Sequence, residues 1–241
     1  MEINYILLIA VIIVLIIEAI AAYYIIKYYK LRKLISSSKT SRISDLQDGF
    51  HVIKGRVIAL SESLVSPYAE SACVYYDFQV DEKRKSGNTD AWDNIIKDEK
   101  MQRFGVHDGS GIALIDLENA KIELKTENEF NPVLAPHTKD MTYSNRERLL
   151  KRYEIKSVNG KYERTVKYRE LIIEEGTQIY VMGETQEKDQ GQPVFKANKK
   201  SLYVSDHSEE ELLKLYTNKI VYWIAIMIGI PLGFFVLWLI Q

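Results

Sequence analysis

The sequence predicts a mainly β (α+β) fold: a barrel or sandwich-like soluble domain with one helical insertion, flanked by a transmembrane helix at each end of the chain. Two terminal runs are almost purely apolar. The span between them breaks into short alternating or β-branched segments separated by Gly, Pro, Ser and Asp turn signals. With 241 residues, the chain has room for one sizeable domain once those runs are set aside.

The first run, Tyr5 to Ile26, holds one carboxyl, Glu18, and no basic residue. The second, Ile220 to Ile240, holds no charge. At a rise of about 1.5 Å per residue each reaches about 32 Å, enough to cross a hydrocarbon layer of about 30 Å. Helices satisfy every backbone group there, so residues 5–26 and 220–240 are expected as helical spans. Ala19-Ile20-Ala21 resembles a signal cleavage site, but no basic residue precedes the apolar run and the run resumes after Glu18, which favours a retained anchor. No polar spacer with small residues marks a lipid-anchor signal before the second run.

Lys27, Lys30, Arg32, Lys33, Lys39 and Arg42 follow the first span, and Lys214 and Lys219 precede the second. The positive-inside rule then places both termini outside and the middle domain in the cytoplasm, with the basic flank beside an anionic leaflet. A single cysteine, Cys73, excludes an internal disulfide framework, and no Asn-x-Ser/Thr acceptor occurs. Without the eight flanking Lys/Arg, Glu2 and Glu18, the charge is about −7, which argues against a nucleic-acid surface. The expected partners are the bilayer and an unidentified protein, with homo-oligomerisation a further option.

Residues 27–49 read as a basic flank and a serine-rich linker, and residues 50–207 as the domain. His51–Leu60 is a strand with a bulge or close approach at Gly55. Cys73–Val80 is an aromatic, β-branched strand. The charged span 81–100, broken by Trp92 and Ile95-Ile96, reads as a long hairpin arm or loop. Arg103–His107 and Ile112–Asp116 form a hairpin through Asp108-Gly109-Ser110-Gly111. Alternation resumes over 119–125. In the polar span 126–165, Ser144 and Glu147 make a capping box for a helix to Glu154. Strands follow at 166–174, 177–184, 193–197 and 201–204. Ser208 and Glu211 cap a connecting helix over 208–219 that leads into the second span.

Catalytic chemistry finds little support. His51, His107, His137 and His207 are scattered and lack metal-ligand spacing, so neither metal nor cofactor is expected. His107, Asp108 and Ser110 are the residue types of a hydrolytic triad. Neighbours on a strand point to opposite faces, and a hairpin turn explains them better. Cys73 reads as a small buried hydrophobe. Within the spans, Gly229 and Gly233 have the spacing of close helix packing around Pro231. Glu18 lies at a similar depth. A protonated Glu18 is expected either to bond the Met227 carbonyl that Pro231 leaves without its helical donor or to face a water-filled gap or a second copy of itself.

Five stretches together resemble the GIDE, or beside-a-membrane, family. They are Gly55-Arg56-Val57, Cys73-Val74-Tyr75-Tyr76, Asp108–Gly111 with Ala113, Asp116 and Ala120, Tyr180–Glu184, and Val204–Glu211. The resemblance covers about residues 50–213 and extends to the flanking helices. It implies kinship with a mitochondrial outer-membrane E3 ubiquitin ligase, whose RING finger follows the second helix. One cysteine and four histidines cannot provide the eight ligands of a two-zinc RING. The expectation is therefore a membrane-anchored binding or scaffolding module. The alternatives are an E3-related protein working with a partner or a membrane-structural assembly.

Overall fold

The computed structural model describes residues 5–86, 89–125, 128–130, 148–149, 151–153, 166–197 and 202–240. The chain divides into a pair of terminal helices and a β-unit, Thr40–His207.

In the helical unit, α1 spans Tyr5–Ser37 and α2 spans Glu209–Ile240. Both are long and apolar enough to cross a membrane. At 33 and 32 residues they are about 50 Å long, so each outruns the hydrocarbon layer. The α1 helix runs through the basic flank to Ser37 instead of giving way to a linker, since Lys, Arg and Leu are good helix formers. At α2 the expected capping box is made: Ser208 N–H donates to Glu211 Oε2 at 2.8 Å, and Glu211 N–H to Ser208 Oγ at 3.2 Å. Pro231 is accommodated inside the continuous helix. Apolar side chains face outward along both helices, Leu15 and Ile228 each 62% exposed, as lipid contact requires.

The β-unit contains β1 (Gly49–Ala59), β2 (Leu64–Val65), β3 (Ala72–Ser86), β4 (Thr89–Met101), β5 (Phe104–His107), β6 (Ile112–Asp116), β7 (Lys121–Glu123), β8 (Asn128–Phe130), β9 (Val166–Glu174), β10 (Gln178–Asp189), β11 (Gln192–Lys196) and β12 (Tyr203–Ser205). Of the two architectures the sequence allows, the chain adopts the barrel. The order β1-β5-β6-β11-β10 closes because β10 also pairs with β1. Counted within the barrel this circuit is 1-2-3-5-4-1, with strands three and five (β6 and β11) parallel, the circuit of the OB fold. The β12 strand continues along β10 and carries β7 beside it.

Closure depends on β1. Its residues 49–56 pair with β10 and its residues 56–59 with β5. At Gly55 the backbones come so close that a Cβ would lie 2.6 Å from the His107 carbonyl oxygen, the close approach the sequence suggested. Ile53, Val57, Phe104, Ile115, Val181 and Phe195 fill the interior.

A second sheet, β2-β3-β9-β8 with β4 on β3, grows from the two long insertions between barrel strands. The 81–100 span is thus a true hairpin, β3 and β4 pairing from Tyr75↔Met101 to Ser86↔Thr89. This sheet has its own core of Tyr76, Phe78, Val80, Tyr168 and Ile172, to which Leu149 adds a buried side chain. Residues 148–149 are helical, while the capping box expected at Ser144 and Glu147 lies outside the described residues.

The β-unit begins before the expected residue 50. Thr40 bridges to Val52 in parallel, Ser41 N–H donates to the Val52 carbonyl at 2.7 Å, and a 3-10 turn, Ile43–Asp45, follows. Ile43 and Leu46 are buried in the barrel core, so this serine-rich stretch is part of the domain.

Candidate functional site

The helix pair presents the most elaborate arrangement of aromatic and charged side chains. Near the domain-side ends of the apolar runs, Tyr24 stacks on Trp223 with centroids 4.6 Å apart and planes within 10°. Tyr24 also stacks on Tyr28 at 5.8 Å, and Tyr28 meets Tyr216 at 5.9 Å. Lys27 lies over Tyr23 and Tyr24, and Lys219 over Tyr28 and Tyr216. Arg32 Nε donates to Thr217 Oγ1 at 2.9 Å, and that hydroxyl donates to the Leu213 carbonyl at 2.7 Å. Aromatic rings thus interlock the helices where polar and apolar media meet, with cations just beyond. The clustering of Tyr23, Tyr24, Tyr28 and Tyr29 opposite Tyr216, Tyr222 and Trp223 was the available sequence signal, and periodicity alone did not turn it into a contact.

The intramembrane residues singled out from sequence do not converge. An added Cβ on Gly229 or Gly233 meets nothing within 4 Å, and Pro231 is exposed, so this face of α2 turns away from α1. Glu18 is half-buried, and its Oε1 is enclosed without a hydrogen-bond partner. The expected bond from Glu18 to the Met227 carbonyl is therefore not made. The aromatic stack and the fully buried Ala21 set the rotation of the helices instead.

In the β-unit, polar constellations serve structure. Asp108 is a clasp: Oδ2 accepts Ile43 N–H at 2.9 Å, and Oδ1 accepts Ser110 N–H at 2.8 Å, Ser110 Oγ–H at 2.7 Å and Gly111 N–H at 3.1 Å. Ser110 Oγ accepts Ser44 N–H at 3.1 Å. Burial acts to raise the Asp108 pKa, but the bonds from Ile43, Ser110 and Gly111 outweigh it and hold the carboxyl down at about 2. The turn of the β5–β6 hairpin therefore ties the incoming chain to the barrel, and Asp108 makes no relay with His107.

Ser205, Asp206 and His207 come together without forming a relay either. Ser205 Oγ and Asp206 Oδ1 meet the same ring nitrogen, His207 Nδ1, at 3.2 and 3.1 Å. A nucleophile–base–acid chain needs one partner on each nitrogen. Ser205 is fully buried and donates to the Glu123 carbonyl, while Asp206 accepts Lys125 N–H, so the group fastens β12 to β7.

In the second sheet, Tyr76 and Tyr153 both donate to Asp98 Oδ2, at 3.1 and 2.6 Å. Burial and then Asp98 push Tyr76 up to about 12, and burial and the Asp98 bond also raise Tyr153. Both hydroxyls stay protonated as donors. The fully buried Glu170 accepts Tyr68 N–H at 2.8 Å and Ala69 N–H at 2.9 Å, fixing the loop after β2. Cys73 is fully buried, and burial, then Glu170 and Glu174, raise its thiol to about 11. Among the described residues no group of three metal-ligating side chains gathers.

A protein-family model, GIDE, described as E3 ubiquitin ligase, matches residues 76–238, from β3 through nearly all of α2. The chain belongs to the GIDE family. No curated protein and no solved structure matches it. GIDE membership accords with the resemblance carried by the Tyr75-Tyr76, Asp108–Gly111 and Val204–Glu211 stretches. The geometry now gives those stretches roles: the β3 core, the clasp on Ile43, and the corner at which the chain leaves β12.

Proposed function

We propose that this GIDE-family protein is a membrane-anchored binding or scaffolding module. Its barrel and second sheet present a surface to a protein partner on the cytoplasmic side. The observation that carries this reading is the pairing of the two terminal helices, which tethers both ends of the β-unit to one membrane anchor. A double tether suits holding a surface beside a bilayer. The OB-type barrel is a common carrier of binding surfaces, though a fold alone names no ligand. The β4 strand supports a location for the partner: among the described residues it pairs only with β3, and it exposes Asn94, Lys97, Glu99 and Lys100. Open strand edges accept an added strand.

The test uses the full chain in its native membranes, with photo-crosslinking side chains at Asn94, Lys97 and Lys100 and, as controls, at Leu60 and Lys196. Defined adducts from the β4 positions and not from the controls support the reading. Absence of adducts from every position overturns it. Protease added to intact cells should leave residues 40–207 uncut, and cleavage there without lysis would reverse the sidedness.

The family description favours a second reading, a ubiquitin-transfer role exercised with a partner. With one cysteine and four histidines in the sequence, the chain alone should not discharge a charged conjugating enzyme. Discharge that appears only when a RING protein is added supports this role, and discharge by the chain alone refutes the dependence.

A further inference from the structure

Next to the apolar runs, out to Lys33 on α1 and Lys214 on α2, the helix pair carries charge of one sign, and the acids of α2, Glu209–Glu211, lie beyond in its first turn. Between Glu18 and Asp45 the sequence holds only basic ionic groups, and no acid follows Glu211. Lys27, Lys30, Arg32 and Lys33 on α1 thus share a zone with Lys214 and Lys219 on α2, because Arg32 and Thr217 fix the two helices at one level. Thr217 lies three residues outside Ile220, about 4.5 Å along the axis, and Arg32 six residues outside Ile26, about 9 Å. The headgroup layer is about 5–7 Å thick on each side, and a long basic side chain can reach down into it.

Arg32 differs from the other cations. Arg32 is half-buried as a residue, and its guanidinium is oriented by the Thr217 hydroxyl, which is itself anchored on the Leu213 carbonyl. With Nε engaged there, the two Nη groups remain, and among the described residues Arg32 has no carboxylate partner. An oriented guanidinium matches phosphate oxygens geometrically, whereas an ammonium acts as a point charge. The Tyr24–Trp223 stack below it marks the interfacial depth at which a lipid headgroup sits.

We propose that the Arg32–Thr217 pair, within its collar of lysines, is a binding site for the headgroup phosphate of an anionic membrane phospholipid. Lipid is favoured over soluble phosphate because the site lies at the end of two apolar spans, so that bound acyl chains would lie along the exposed apolar faces of α1 and α2. The proposal rests on reading those helices as membrane spans.

The experiment reconstitutes the full chain in nanodiscs of phosphatidylcholine alone or mixed with phosphatidylglycerol, then counts lipids retained after detergent release by native mass spectrometry. The wild type should retain phosphatidylglycerol several-fold over phosphatidylcholine. Thr217→Val keeps the size and every charge but removes the acceptor, and should cut that preference several-fold. Arg32→Lys should do the same. Thr217→Ser keeps the hydroxyl and should behave as wild type, which separates the site from a folding defect. Lys196→Gln, on the β-unit and away from the β4 edge, should change nothing.

A Thr217→Val protein with undiminished preference would overturn the proposal, because a diffuse basic collar does not depend on that hydroxyl. Displacement of the lipid by millimolar inorganic phosphate would also overturn it, reassigning the site to a soluble anion. Failure of the protein to enter nanodiscs at all would instead defeat the membrane-span reading on which the proposal rests.

Discussion

Asp108→Asn isolates one carboxylate whose bonds hold the incoming chain to the barrel. The amide keeps one oxygen acceptor for Ser110 and Gly111, but its nitrogen cannot accept, so the Ile43 N–H bond on the second oxygen is lost. The native carboxyl titrates at about 2 against an ordinary value of 3.8. Because the turn is open to solvent, screening reduces the corresponding stabilisation to about 1 kcal/mol. A depressed folded-state pKa means that this stabilisation is complete above the unfolded value of 3.8 and is lost as pH falls through about 2. Asp108→Asn should therefore be about 1 kcal/mol less stable than wild type at pH 7, a Tm lowered by about 2–4 °C. The gap should close between pH 4 and pH 2 as the wild-type carboxyl protonates. Thermal melts of the full chain in one detergent across that range measure the gap. Hydrogen exchange at Ile43 and Ser44 reports the local release, which should speed amide exchange there at pH 7. A gap that stays constant from pH 7 to pH 2, or unaltered exchange at Ile43, would refute the clasp.

Gly55→Ala should destabilise the β-unit by about 3 kcal/mol in urea titrations, because the new Cβ falls 2.6 Å from the His107 carbonyl oxygen at the point where β1 changes partners. The same substitution at Gly109 meets open space and should cost about 1 kcal/mol, from its positive φ alone. If the two cost the same, closure does not depend on the approach at Gly55. Cys73 should resist maleimide at pH 7.5 in the folded protein and react fully on unfolding, since it is buried with its thiol raised to about 11. Stoichiometric labelling of native protein would contradict the core placement. Trp223→Leu should lower the melting temperature of the helix pair by removing a stacking contribution of about 1 kcal/mol, while Trp223→Phe should restore most of it. Equal melts for the two variants would show that area, and not ring stacking, joins the helices.

The sequence by itself determined every feature that rests on local pattern. Two uncharged or nearly uncharged runs dictated the long terminal helices, because backbone groups in hydrocarbon have no other single-segment solution. The Ser208–Glu211 spacing marked the start of α2 to within a residue, and Asp108–Gly111 marked the β5–β6 turn, since both signals depend only on neighbours in the chain. Gly55 betrayed a close approach, though not to what.

Tertiary structure alone decided the closure of the sheet. The partners that close it, β1 with β10 and β6 with β11, are far apart in sequence, and strand alternation is the same whichever neighbour a strand finds. It also drew residues 40–48 into the domain. Their serine content read as a linker, yet Ile43 and Leu46 fill space that only the assembled barrel creates. The rotation of the helices was equally hidden. Spacing showed that Gly229 and Gly233 share one face of α2, but which face meets α1 is set by contact energy. Tyr24 stacking on Trp223 turned the other side inward and left Glu18 without its expected partner.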